Sequence, residues 1–330
     1  MIQGEFWLLA GVDAPLLADV QITFRHDFSE SDRSQVLSSN LFRTRDRQTV
    51  FIASQNVAAF VPSAPFVWDH LTDLTLKHMD TSWTWGVLDC GVAYQLLKGC
   101  PRLRSLICPI RCSGLEQTNE DLLLPSLESL TMNNYSNSSE VLEKLVDQLI
   151  MPQLSKFYMI NFHPSASLHM SGFVSLERLA DRSPLISDLS LELSDITTSS
   201  LVSVLQRLPC LETVGLIIGD FTEQPTAADL TRTLTPDADA LHLCPALRHF
   251  TLECRGFADD IWVNFLQMNL DYNTSLRRVY FHFWSPPPET VPDVEPFLAR
   301  GLDVTVKYIP VDERAEPTPW QGIEALAALD

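Results

Sequence analysis

The chain has 330 residues, of which 45% are hydrophobic, and a formal net charge of −19. This acidity disfavours a nucleic-acid partner, because such binding depends on Lys and Arg neutralising phosphates. No apolar run approaches the roughly 18 residues that a membrane helix needs. A basic or mixed-charge protein surface is the expected partner, and the alternative is that the acidity only keeps an extended surface soluble.

One short pattern recurs from the beginning of the chain to its end. It consists of Pro, any residue, Leu or Ile, two spacers, an apolar residue, one spacer and a second apolar residue. Seven copies begin at Pro15, Pro101, Pro125, Pro152, Pro184, Pro209 and Pro245. Copies without the proline begin at Leu71 and Leu276, and weaker ones contain Val50/Ile52 and Val304/Val306. A pattern that returns every 20 to about 50 residues is typical of a repeat protein.

Each copy predicts a short strand. Its last two apolar residues are two positions apart, so in an extended chain they point to one face, and the residues beside them point to the other. The first Leu or Ile adds a third side chain to the same interior. The proline prevents the preceding helix from continuing and favours extended geometry next to it, so it marks the start of each repeat.

The segments between the strands have helical spacing. Over 139–149, Val141, Leu142, Leu145 and Leu149 fall on one stripe, and Ser138 or Ser139 is the expected N-cap. Similar spacing predicts helices over 91–99, 172–182, 198–208, 226–234 and 258–269. The predicted unit is therefore strand, loop and helix.

These units predict an α/β fold, a leucine-rich-repeat solenoid (horseshoe) with parallel strands on the concave face and helices on the convex face. Stacking is needed because one repeat cannot bury its own apolar residues, each worth about 1.5–3 kcal/mol when buried. We expect one domain of about ten irregular repeats over 1–310 and a tail over 311–330 that forms a short helix or frays. A doubly wound α/β domain is the alternative, but it does not account for the recurring pattern.

No motif for catalysis, a cofactor or a metal ion occurs. Glycine is scarce, with 12 residues, and the Gly-rich patterns of nucleotide sites and nucleophile elbows are missing. The eight histidines are scattered, and the seven cysteines include no C-x-x-C pair, so we expect buried thiols and no metal site. The chain is predicted to be no enzyme and to need no cofactor. An enzyme whose site assembles only in space is the remote alternative.

The alternation of the predicted strands indicates a binding surface. Residues between the buried positions face outward across the concave sheet, and Tyr and Arg are common anchors of protein interfaces. The candidates for protein binding form two clusters, Lys156, Tyr158 and Ile160, and His249, Arg278, Tyr280 and His282. The alternative is that half of them are only solvated strand faces.

Several stretches resemble the repeats of the large fungal F-box/leucine-rich-repeat family. The resemblance covers about 14–308 and rests on Trp68-x-x-Leu71-Thr72-x-Leu74-Thr75-Leu76, Leu96-Leu97-x-x-Cys100-Pro101, Leu124-Pro125-Ser126-Leu127, Leu179-x-x-Arg182-Ser183 and Leu243-Cys244-Pro245-x-Leu247. In that family the F-box docks onto a Skp adaptor of a cullin ubiquitin ligase, and the repeats hold the target. The resemblance therefore implies the substrate-recognition part of an F-box-like protein, a ubiquitin-ligase substrate receptor.

The chain departs from this family at its start. An F-box is a compact helical segment ahead of the repeats, and residues 1–13 are too few to hold one. We expect that the F-box is encoded upstream or was lost, and that the 330 residues alone do not bind a Skp adaptor.

The predicted function is a non-catalytic protein-interaction domain, and the alternative is a free-standing scaffold or regulatory protein with no link to ubiquitin. The expected setting is a monomer in the cytoplasm or nucleus that binds a protein on its concave face. Neither nucleic acid nor a membrane is expected as a partner.

Overall fold

A computed structural model describes residues 19–23, 49–54, 57, 68–78, 87–111, 120–135, 140–161, 170–193, 198–218, 227–236, 243–254, 259–272 and 274–309. Over these residues the chain is α/β, with one sheet of 12 parallel strands and a second pair of short strands. Pro15, in the first predicted repeat, and the predicted tail over 311–330 lie outside the described residues.

The strands lie in space in the order in which they occur in the sequence. Eleven of them form a continuous path through the sheet, β4 is added beside β5, and β6 pairs with β8 in the second sheet. A doubly wound domain reverses its strand order at a switch point, so this order rules that alternative out. The strands are β1 (Asp19–Thr23), β2 (Thr49–Ser54), β3 (Asp73–His78), β4 (Leu88–Asp89), β5 (Ser105–Arg111), β6 (Leu122–Leu123), β7 (Ser129–Asn134), β8 (Leu149–Ile150), β9 (Lys156–Asn161), β10 (Asp188–Leu193), β11 (Thr213–Ile218), β12 (His249–Cys254), β13 (Arg278–Phe283) and β14 (Asp303–Tyr308).

Seven α-helices connect the described strands, and helices that follow each other in the chain pack side by side. The first six confirm the predicted helices to within two residues, and α7 was not predicted because five residues are too few to show a period. None of the described helices has the length and hydrophobicity that a membrane crossing requires. The helices are α1 (Cys90–Gly99), α2 (Glu140–Gln148), α3 (Met170–Arg182), α4 (Thr198–Gln206), α5 (Ala227–Leu234), α6 (Asp259–Asp271) and α7 (Glu295–Ala299).

The recurring apolar residues form the core, as the alternation predicts. In eight successive copies of the pattern all three apolar side chains are buried, and they belong to one cluster with the apolar stripes of the helices. The last copy is buried at Val304 and half-buried at Val306. The eight copies begin at Leu71, Leu103, Leu127, Leu154, Ile186, Leu211, Leu247 and Leu276.

The proline of the pattern occupies the second position of a tight turn. In the first such turn the N–H of Leu103 donates to the carbonyl of Cys100 at 3.1 Å, across Pro101, and five later turns repeat this bond at Leu127, Leu154, Ile186, Leu211 and Leu247. Proline presets the backbone angle that this position needs. Leu71 closes the same turn on Trp68 without a proline. The proline therefore favours a turn before the strand and is not itself the first extended residue.

The carbonyl just before each of seven strands, β3, β5, β7 and β9 to β12, accepts two backbone N–H groups from the start of the next long strand. The carbonyl of Thr72 accepts from Arg104 at 2.6 Å and from Ser105 at 3.0 Å. Six further carbonyls each accept two such hydrogen bonds, namely those of Arg104, Glu128, Ser155, Ser187, Glu212 and Arg248. Neighbouring strands are therefore held in one constant register.

The cysteines only partly match the expectation of buried thiols. Cys108 and Cys254 are buried and free, and burial raises the pKa of both thiols to about 12, with the charge of Glu253 adding to the effect at Cys254. The prediction is wrong for Cys210, a free but exposed cysteine, and for Cys90, which is disulfide-bonded. Neither departure is visible in the spacing of the cysteines.

The two faces of β13 predict different costs for two neighbouring substitutions. Phe281 is fully buried against the rings of Phe250, Trp262 and Phe265, so Phe281→Ala is expected to lower the free energy of unfolding by about 3–5 kcal/mol. Tyr280 lies on the opposite face, and Tyr280→Ala is expected to cost about 1 kcal/mol or less. Urea denaturation followed by circular dichroism measures both, and equal costs would contradict the assignment of the faces.

Candidate functional site

The main sheet has two unlike faces. The recurring apolar residues and the buried stripes of the helices lie together on one face, and the alternate residues of the strands lie on the other. We call this second face the open face, because no described helix packs against it. All the predicted binding residues lie on the open face, namely Lys156, Tyr158, Ile160, His249, Arg278, Tyr280 and His282.

The open face is not equally accessible along the sheet. On β7 the outward side chains of Thr131 and Asn133 are buried, with only 3% and 2% of their surface exposed. From β9 onward the candidate residues are reachable by solvent, since Lys156 is exposed and the other six are half-buried. A partner therefore has access to these candidates on β9, β12 and β13.

A groove lies in this part of the sheet because side-chain size varies along one row. Paired positions on β9 to β13 place Tyr158, Ser190, Gly215, Thr251 and Tyr280 side by side. Three small residues thus lie between two tyrosines. A cavity of about 330 Å³ opens over the small residues and extends to β14. We call it the open-face groove and define it by Ser190, Gly215, Thr251, Glu253, Tyr280 and Lys307.

Gly215 is needed for the floor of the open-face groove. A Cβ atom at this position would come within 2.9 Å of the Oγ atom of Ser190 on the neighbouring strand. A side chain at this position would require the Ser190 hydroxyl to shift and would occupy space in the groove. A glycine inside a strand is expected where another chain has to approach the backbone closely.

Two cations form the wall of the open-face groove on the β13–β14 side. The Nε atom of Arg278 lies 3.4 Å from the Oδ2 atom of Asp303, on the next strand. The Nζ atom of Lys307 lies 5.4 Å from the centre of the Tyr280 ring, which is a cation–π distance. Both contacts join β13 to β14 and hold the wall in place.

A histidine and a carboxylate lie in the same row of the sheet as Lys307. The Oε2 atom of Glu253 is 3.4 Å from the Nδ1 atom of His282, and their side chains are only 17% and 18% exposed. The Nε2 atom of His282 is buried and has no hydrogen-bond partner among the described residues. The ring of His282 meets that of Tyr280 edge-on, with centres 6.0 Å apart.

His249 lies among charges of both signs. Burial lowers its pKa, the positive charges of Arg278 and Arg248 lower it further, and the carboxylates of Asp188 and Glu212 partly oppose this shift. The hydroxyl of Thr213 lies 3.4 Å from its Nδ1 atom. The imidazole ring is therefore held in its neutral form over a wider pH range than in an unfolded chain.

The structure brings one predicted cluster into the groove and leaves the other beside it. His249, Arg278 and Tyr280 line the cavity, and His282 contacts it through Glu253. Lys156, Tyr158 and Ile160 lie on β9, outside the cavity lining. The hydroxyl of Tyr158 donates to the Oδ2 atom of Asp188 at 2.5 Å, so this ring is fixed to the neighbouring strand.

Several groove residues were not among the predicted candidates. Ser190 and Gly215 carry too little side chain to resemble binding residues, although a lone glycine between the apolar residues of β11 is a signal of close approach. Asp303 and Lys307 belong to the weak repeat around Val304 and Val306, where the same alternation would have found them.

Comparison with known proteins leaves the site to be interpreted from its own residues. No family model matches the chain, and no curated protein matches its sequence. Among the described residues, no three His, Cys, Asp or Glu side chains come together as a metal site would require. The site is a groove with an aromatic side chain, Tyr280, and charges of both signs in its lining.

The lowered pKa of His249 predicts a pH-dependent stability. In the unfolded chain histidine titrates near pH 6.5 or so, so below that pH the unfolded state binds more protons than the folded state. The free energy of unfolding should therefore fall as the pH drops below that value. His249→Asn should show a smaller fall between about pH 7.5 and 5.5, measured by urea denaturation. Identical pH profiles for the two proteins would contradict the burial of this imidazole ring.

Proposed function

We propose that the chain is a leucine-rich-repeat solenoid that binds another protein at the open-face groove. Three recurring features support the solenoid: the turn before the strand, the two backbone hydrogen bonds accepted by one carbonyl, and the buried apolar triplet. In this proposal the open face is the concave side and the helices form the convex side. Repeat proteins of this kind use such faces as extended binding surfaces.

The observation that carries the proposal is the open-face groove itself. It is a depression with an aromatic wall at Tyr280, an arginine at its rim and hydrogen-bonding groups on its floor. Tyr and Arg dominate the binding energy of protein interfaces, in places where neighbouring contacts exclude water. The net charge of −19 favours a protein over a nucleic acid.

We further propose that the bound protein is a substrate of a ubiquitin ligase. The support for this step is the resemblance of the repeats to the F-box/leucine-rich-repeat family. In this role the chain holds the target, and another subunit transfers ubiquitin. The groove supports equally well a second candidate, a free-standing scaffold that binds its partner in the same way.

Site-specific photo-cross-linking tests where the partner binds. A benzoylphenylalanine in place of Tyr280 should form a discrete cross-linked product in the native cell, because this ring lines the groove. The matched control carries the same amino acid at Asn264, an exposed position on α6. Products from the Asn264 position alone would contradict binding at the open face.

The ubiquitin-ligase role needs its own measurement. A Skp adaptor should co-purify with the product of the whole gene, and the half-life of the cross-linked partner should lengthen when the gene is deleted. The physical reason is that the receptor brings its target to the transfer site. A partner that cross-links at Tyr280 but keeps its half-life, without any adaptor, would contradict the ligase role and favour the scaffold.

A further inference from the structure

We infer that the partner inserts a cationic side chain, arginine or lysine, into the open-face groove, where the carboxylate of Glu253 receives it. This inference rests on the proposed binding function and adds the chemistry of the central contact.

Four formally charged side chains line the groove: Glu253, Arg278, Asp303 and Lys307. Arg278 and Asp303 form a pair with each other. Lys307 lies over the electron-rich face of Tyr280. Glu253 contacts the ring of His282, which carries a charge only when it is protonated. Glu253 is therefore the groove charge with the weakest internal compensation.

The position of Glu253 makes it a strong acceptor for a cation. Its side chain is 17% exposed, so it has lost most of its water but is still accessible from the groove. An ionised carboxylate has about four acceptor sites, and the distance of 3.4 Å to His282 indicates one weak contact. Hydrogen bonds between charged groups are stronger where water is excluded.

The surface between the groove mouth and Glu253 suits the stem of a long basic side chain. Ile217 is paired with Glu253 on the neighbouring strand, and Gly215 and Thr251 leave open space beside them. Arginine and lysine bury their aliphatic stems on such surfaces while the charged head reaches a polar partner. A neutral side chain in this place would bring no opposite charge to Glu253, and an acidic one would be repelled by it.

The rim of the groove argues against an anionic side chain at its centre. Arg278 is already paired with Asp303, so an incoming carboxylate would have to compete with it. The overall charge of −19 also steers basic segments toward the chain and acidic ones away from it. Local and global electrostatics therefore favour the same occupant.

Selection of random peptides displayed on phage, with the purified 330-residue chain as bait, tests the inference. The selected peptides should share an arginine or lysine at a fixed position, and this preference should disappear when Glu253→Gln is the bait. In calorimetry, Glu253→Gln should weaken binding of a selected peptide by about tenfold or more. The matched control is Glu212→Gln, which removes the same charge from an exposed side chain outside the cavity lining and should change the affinity little.

A second measurement does not depend on the folding of the Glu253 variant. Replacing the selected arginine in the peptide by citrulline removes the charge and keeps the shape, so it should weaken binding to the unchanged protein by the same factor. With Glu253→Gln present, citrulline should cause little further loss, because the two changes remove one interaction.

Three outcomes would overturn the inference. Enrichment of acidic residues would assign the anchor to Arg278, and peptides without any preferred charge would remove the role of Glu253. Equal losses from Glu253→Gln and Glu212→Gln would show that only the general acidity attracts the peptide. In each case cross-linking at Tyr280 still decides whether the open face binds a protein, so the two proposals can fail separately.

Discussion

Seven carbonyls, each just before a strand, accept two backbone hydrogen bonds from the next long strand, and the rest of the structure depends on this interaction. It is made entirely by backbone atoms, so it does not depend on which side chains a repeat carries, and it holds each strand in the register of the last. A constant register converts positions in the sequence into straight rows across the sheet. The two inward rows formed by the recurring pattern are apolar throughout because they form the core, whereas the outward rows differ in size and polarity from strand to strand.

Because the outward rows differ from strand to strand, side-chain size along a row shapes the open face. The small residues Ser190, Gly215 and Thr251 beside Tyr280 leave a groove on strands that keep one register. The contacts of Arg278 and Lys307 then bind the last two strands of the groove together. A surface of this kind acquires a ligand by substitution of a few residues, while the fold stays the same.

The fold was largely predictable from the sequence, and the groove was not. The repeating pattern predicts the eleven long strands, the buried face and six helices, because each of these depends on local periodicity. It does not predict β4, β6 and β8, which are only two residues long. Alternation gives the direction of a side chain but not its accessibility, as the buried Thr131 shows. The groove depends on which residues from distant repeats become neighbours, and this requires the register.

The same turn precedes seven of the described strands, so the chain can change in length by whole turn-to-turn units. The turns at Pro125 and Pro152 have the same hydrogen bond, and the strands after them have the same pairing. Removing the 27 residues 125–151 would join two equivalent junctions and leave a shorter chain with an unbroken main sheet. Gene duplication or loss of whole units is therefore structurally tolerable, whereas losing a single residue within a strand would turn its apolar side chains outward.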